Sequence, residues 1–79
     1  MNWIVKKAGV AVAEFVDETD VRMFRSWKVE DEINFELERV EDEFIAVFGK
    51  ELLTDDVISG MYRACSSLVG SLWTVEEKE

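Results

Sequence analysis

An eleven-residue repeat constrains this chain more than any other feature of its sequence. Val29-Glu30-Asp31-Glu32-Ile33 recurs as Val40-Glu41-Asp42-Glu43-Phe44, and Leu37 and Arg39 are answered by Phe48 and Lys50. Eleven residues are three helical turns at about 3.67 residues each, so equivalent positions fall nearly on one line. Val29, Ile33, Leu37, Val40, Phe44 and Phe48 then form one apolar stripe, with a Glu-Asp-Glu triplet on its flank in each repeat. The pattern predicts a helix from Val29 to Gly49, where glycine is available for a left-handed cap. Phe24 and Phe35, also eleven apart, mark a second, minor line on which Phe35 is read as half-exposed.

A second helix is expected from about Asp55 to Trp73. Thr54 is a good N-cap, Asp55 and Asp56 sit at the positive end of the dipole, and Leu53 and Ile58 occupy the positions of a hydrophobic staple. Its apolar seam is Ile58, Met61, Cys65, Leu68 and Leu72. Gly60, Ala64, Ser67 and Ser71 form a line of small residues beside it, and Tyr62, Val69 and Trp73 form a third, apolar line.

The first 29 residues read two ways. As a helix, Ile4, Ala8, Ala11 and Phe15 align at spacings of four, three and four. As strands, Val10, Val12 and Val16 alternate with Ala11, Ala13 and Phe15, and β-branched valine favours that state. Asp17-Glu18-Thr19-Asp20 is then an interhelical link or a hairpin loop. From Val21 the helix reading, capped by Thr19 or Asp20, puts Val21, Phe24 and Trp27 on one side and can run straight into the repeat helix. Ala, Lys, Arg, Met and Glu at the other positions favour helix. The expected fold is therefore mainly α, a small three-helix arrangement in one domain over residues 1–79. Residues 76–79 form a frayed acidic tail, and an N-terminal β-hairpin giving α+β is the alternative.

Charge and composition bound the function. A net charge of −9 disfavours nucleic acid and anionic membranes as direct partners and suits a basic protein surface. The chain lacks histidine, the commonest general base and metal ligand, and its one cysteine, Cys65, cannot form an internal disulfide. Glu38 with Glu41 or Asp42 gives one carboxylate pair of metal-binding spacing, but a second helix supplies no matching pair. Ser59, Ser66, Ser67 and Ser71 have no histidine to activate them, and no glycine-rich phosphate loop is present. No catalytic residue, metal or cofactor is expected.

Glu14 interrupts the apolar run after Lys6 and Lys7, which does not match a signal peptide, and Arg63 and several serines interrupt the segment 57–75, which does not match a membrane span. The expected location is the cytoplasm, or the host cytoplasm for a phage-encoded chain.

The two helices are opposite in charge. The repeat helix carries eight acids against two bases from Val29 to Lys50, whereas Arg63 is the one charged residue from Val57 to Leu72. A helix apolar or small around most of its circumference must be covered around most of it. We therefore expect a non-enzymatic interaction module that forms a homodimer, or binds another protein, through Gly60, Ala64, Ser67, Ser71, Tyr62, Val69 and Trp73. The alternative is an inhibitor whose acidic surface mimics nucleic acid and blocks a basic groove. Its residues would be Glu30, Asp31, Glu32, Glu38, Glu41, Asp42 and Glu43, with matching carboxylates about 16 Å apart.

Overall fold

A two-residue turn decides how the chain begins. Ala8 and Gly9 both take positive φ, 52° and 80°, the backbone pattern of a type I′ turn, whose twist matches that of the strands it joins. It connects β1 (Asn2–Lys7) to β2 (Val10–Phe15) in an antiparallel hairpin. The computed structural model describes residues 2–78. The chain continues through α1 (Glu18–Phe48), a single 3₁₀ turn at Lys50–Leu52 and α2 (Asp55–Leu72), and ends in β3 (Trp73–Lys78). β3 pairs with the other edge of β1, giving an antiparallel sheet of order β2-β1-β3.

This corrects the expected three-helix arrangement: the fold is α+β, with two long helices and a three-stranded sheet. The N-terminal helix is absent because alternation along both arms of the hairpin gives the sheet one apolar face. Trp3 and Val5 of β1, Phe15 of β2, and Trp73 and Val75 of β3 all pack on the core. The hairpin also lies elsewhere than the alternative reading placed it, since Asp17–Asp20 starts α1 instead of forming the loop. The cap is Asp17, not Thr19 or Asp20; its carboxylate accepts from the N–H groups of Thr19 (2.7 Å) and Asp20 (3.4 Å).

Residues Glu76–Lys78 are corrected from tail to strand; Glu79 lies outside the described residues. Glu76 and Lys78 point to the sheet's solvent face, where Lys6 pairs with Glu76, and Lys78 reaches Glu14 at 3.5 Å. Such cross-strand charge pairs stabilise a solvated sheet face modestly.

The repeat helix is as read, and it does run without a break from the segment before it. Its stripe faces α2, with Ile33 buried and Val29, Leu37, Val40 and Phe44 half-buried, while Phe48 at the far end is exposed. Gly49, at φ 89°, ends α1, and its N–H donates to the Ile45 carbonyl. Thr54 caps α2 as expected, through Oγ1 and the Val57 N–H. α1 lies across all three strands, while α2 packs mainly along α1 and runs directly into β3. The core is Val5, Val21, Ile33, Cys65, Val69 and Trp73.

The molecule is long, at 52 × 20 × 14 Å. α1 spans about 46 Å at 1.5 Å per residue, far more than six-residue strands can underlie. Its second half and the first half of α2 thus form a two-helix arm beyond the sheet. Val47, Phe48 and Leu52 are exposed at the tip of this arm.

Alanine at a left-handed position costs about 1 kcal/mol or more. Ala8→Asn, which tolerates that conformation, should raise the unfolding free energy by up to about 1 kcal/mol. Urea denaturation followed by circular dichroism would measure it.

Candidate functional site

The exposed side of α2 is built from residues that offer almost no side chain. Gly60, Ala64, Ser67 and Ser71 are all exposed, as is Tyr62 on another flank of the helix. Val69 and Trp73, placed with them in the sequence reading, are instead core residues at 2% and 4% exposure. The buried line of α2 is therefore Cys65, Val69 and the following Trp73, rotated away from the seam read from the sequence. Leu68, assigned to that seam, is exposed at 59%.

Leu68 continues the line of small residues, because Gly60, Ala64 and Leu68 follow one another at intervals of four. It opens into a cleft of about 440 Å³ lined by Lys7, Asp31, Glu32, Phe35, Glu36, Leu68, Val69 and Leu72. The cleft lies where both helices pass the end of β1 at Lys7. Phe35, read as half-exposed, is 69% exposed there. One surface thus unites the Gly60-Ala64-Leu68 line with an aromatic ring from α1.

Helix-interior glycine costs about 1 kcal/mol relative to alanine. A Cβ built at Gly60 or Gly70 would meet nothing within 4 Å. Among the described residues nothing therefore requires glycine at either place. Ser71 turns its hydroxyl back onto the Leu68 carbonyl at 2.8 Å, which further reduces the polarity of the face.

The inner end of the cleft is polar and fully bonded. Glu32 accepts from Lys7 Nζ through Oε1 at 2.5 Å, and from the Trp73 indole N–H through Oε2 at 3.0 Å. Lys7 also lies over the Trp73 ring, 5.7 Å from its centroid. Burial pushes the Glu32 carboxyl up, but the bonds from Lys7 and Trp73 and the charges of Lys7 and Lys28 outweigh it and hold it below its ordinary value. Two turns earlier on α1, Arg25 donates to the carbonyls of Trp73 (2.9 Å) and Gly70 (3.0 Å). The sequence reading singled out neither Lys7 nor Arg25 for this role, and their partners are too distant in the chain for helical periodicity to reveal.

The acidic surface is not a uniform row. Glu30, Asp31, Glu38, Asp42 and Glu43 are exposed, whereas Glu32 and Glu41 are half-buried. Arg39 bonds both Glu36 and Glu43 at 2.8 Å, so part of the acidic face is neutralised within α1. Among the described residues no cluster of three or more acidic, cysteine or histidine side chains could hold a metal ion, and no helix is long and apolar enough to cross a membrane.

A separate apolar groove lies on the other flank of α1, lined by Asp20, Met23, Phe24 and Trp27. No protein-family model, curated protein or solved structure matches the chain.

A carboxylate held below its ordinary value of 4.5 stabilises the fold above that value, and the contribution is lost as pH falls through the lower folded-state value. Wild-type protein should therefore lose more melting temperature than Glu32→Gln between about pH 6 and about pH 3. Parallel slopes in thermal scans would contradict the role given to Glu32.

Proposed function

We propose that the chain is a non-enzymatic protein-interaction module that self-associates through α2, placing the Gly60-Ala64-Leu68 line against a second copy. The observation that carries this reading is an exposed helix face with glycine at a position where none of the described residues fills the space of a Cβ. Close approach of another backbone is a physical reason to keep glycine there.

Magnitudes agree with this. The chain exposes 5747 Å², about 850 Å² more than a compact monomer of its mass. A standard interface covers about 800 Å² per partner. Charge favours a second copy as the occupant. From Val57 to Leu72 the helix carries a single charge, Arg63, so a twofold contact brings no dense like charge together. The acidic side of α1 is left to the outside, available to a basic protein.

The nucleic-acid-mimic reading has less support. It needs a free row of carboxylates, and Glu32 and Glu43 of that row are already engaged by Lys7, Trp73 and Arg39.

Light scattering and sedimentation over a range of concentrations test the proposal. A dimer is expected, weakened at least a hundredfold by Ala64→Glu. Gly60→Ala is the sharper variant: it should raise helix stability in the isolated subunit while weakening association about tenfold. A wild-type protein that stays monomeric at every concentration overturns the proposal.

A further inference from the structure

We propose that the free edge of β2, together with the Met23–Trp27 groove beside it, is a docking site for an extended, lysine- or arginine-bearing segment of a partner protein, added as a fourth strand. This site is distinct from the α2 face and does not rest on self-association.

Three observations meet at this place. First, no strand lies beyond β2 among the described residues, so its outward N–H and C=O groups face solvent. Edge strands are commonly guarded by charge, and β3 ends in Glu76, Glu77 and Lys78. From Val10 to Val16, β2 and the residue after it carry only Glu14. Val10 and Val16 are 67% and 81% exposed.

Second, the edge adjoins a groove suited to side chains. Phe24 packs on Phe15 of β2, with ring centroids 5.1 Å apart and the rings tilted by 48°, and also lines the groove with Met23 and Trp27. Arg25, the next residue, reaches Gly70 and Trp73 on the opposite flank, so the groove lies on the β2 side of α1. Met23 and Trp27 are 66% and 67% exposed, and the groove measures about 310 Å³. A strand paired to β2 would turn alternate side chains toward the Phe24 and Trp27 end of this groove, the division of labour by which strand addition gains affinity and specificity.

Third, the surroundings are acidic. Asp17, Glu18, Asp20 and Glu30 border the edge and groove, facing Arg22 and Lys28, while Lys78 reaches Glu14 of β2 from across the sheet. Arg22 is paired with Glu18, and Lys28 lies over the Phe24 ring. Asp20 and Glu30 make no ion pair with the described residues.

A second copy fits this edge less well. The register with β1 slips between Val5 and Lys6, leaving Val12 without a partner and bulging β2. Two bulged edges do not match in a flat continuous sheet, and each brings the same acids. A short, flexible, basic segment accommodates both features.

The test uses the ¹⁵N-labelled full chain and a synthetic hexapeptide alternating lysine with valine and phenylalanine, followed by NMR. Shifts should concentrate at Val10–Val16 and the Trp27 indole, and a glutamate-for-lysine peptide should bind at least tenfold more weakly. Strand addition further predicts that N-methylating one alternate set of peptide amides weakens binding at least tenfold, while methylating the other set does not. Trp27→Ser, a change at an exposed position, should weaken binding about tenfold. Equal binding by both methylated peptides, shifts confined to the Phe35–Leu68 cleft, no binding, or concentration-dependent β2 shifts without peptide would each overturn the proposal.

Discussion

The architecture depends on how the end of α2 is satisfied. A helix leaves its last carbonyls without partners, and this one ends against the sheet with no connecting residue before β3 begins. Other parts of the chain supply the missing donors. Arg25 of α1 takes the Gly70 and Trp73 carbonyls, and the Ala8 N–H from the hairpin turn takes that of Leu72 at 2.8 Å. The Trp73 indole is held by Glu32, and Glu32 by Lys7 of β1. Hairpin, long helix and final strand are thus all referenced to four consecutive residues. Loss of one donor there strands a polar group at a packed junction, which costs more than the bond itself contributes.

That junction also explains why the molecule is lopsided. Packing is concentrated where α1 crosses the strands, around Val5, Val21, Val69 and Trp73. Past Lys7 the helices have only each other. Two helices can cover one face apiece, so the remaining apolar groups, Phe35, Leu68, Phe48 and Leu52, face water. The radius of gyration, 15.9 Å, exceeds the about 12 Å of a compact domain of this length. The α2 surface proposed for self-association is therefore a product of the arm's geometry as well as of its composition.

What could be read from the sequence follows from which signals are local. The helix over Val29–Phe48 and the alignment of Gly60 with Ala64 rest on spacing, and the Thr54 cap on residue type, all of them local signals, and the structure has each. The hairpin was obscured because Ala8-Gly9 lacks the Asn-Gly or Asp-Gly pair that marks a type I′ turn, and because its alanines suit a helix equally well. β3 was hidden for another reason. Glu76, Glu77 and Lys78 resemble a solvated tail unless Lys6 and Glu14, far back in the chain, are known to lie beside them. Within α2, periodicity gives faces but not their assignment. It separated Val69 from Leu68 correctly and could not say which of them meets α1.

The strand order β2-β1-β3 also has a kinetic meaning. β1 meets β2 across a two-residue turn, and α1 meets α2 across a short link, so both hairpins form from local contacts. β3 is different: Val5 lies opposite Val75, and Asn2 opposite Lys78. The sheet is finished by closing a loop that contains nearly the whole described chain, an entropic cost met before that pairing returns anything. The last strand is thus a latch that holds the two ends of the described chain side by side, so fraying at either end opens the same ladder.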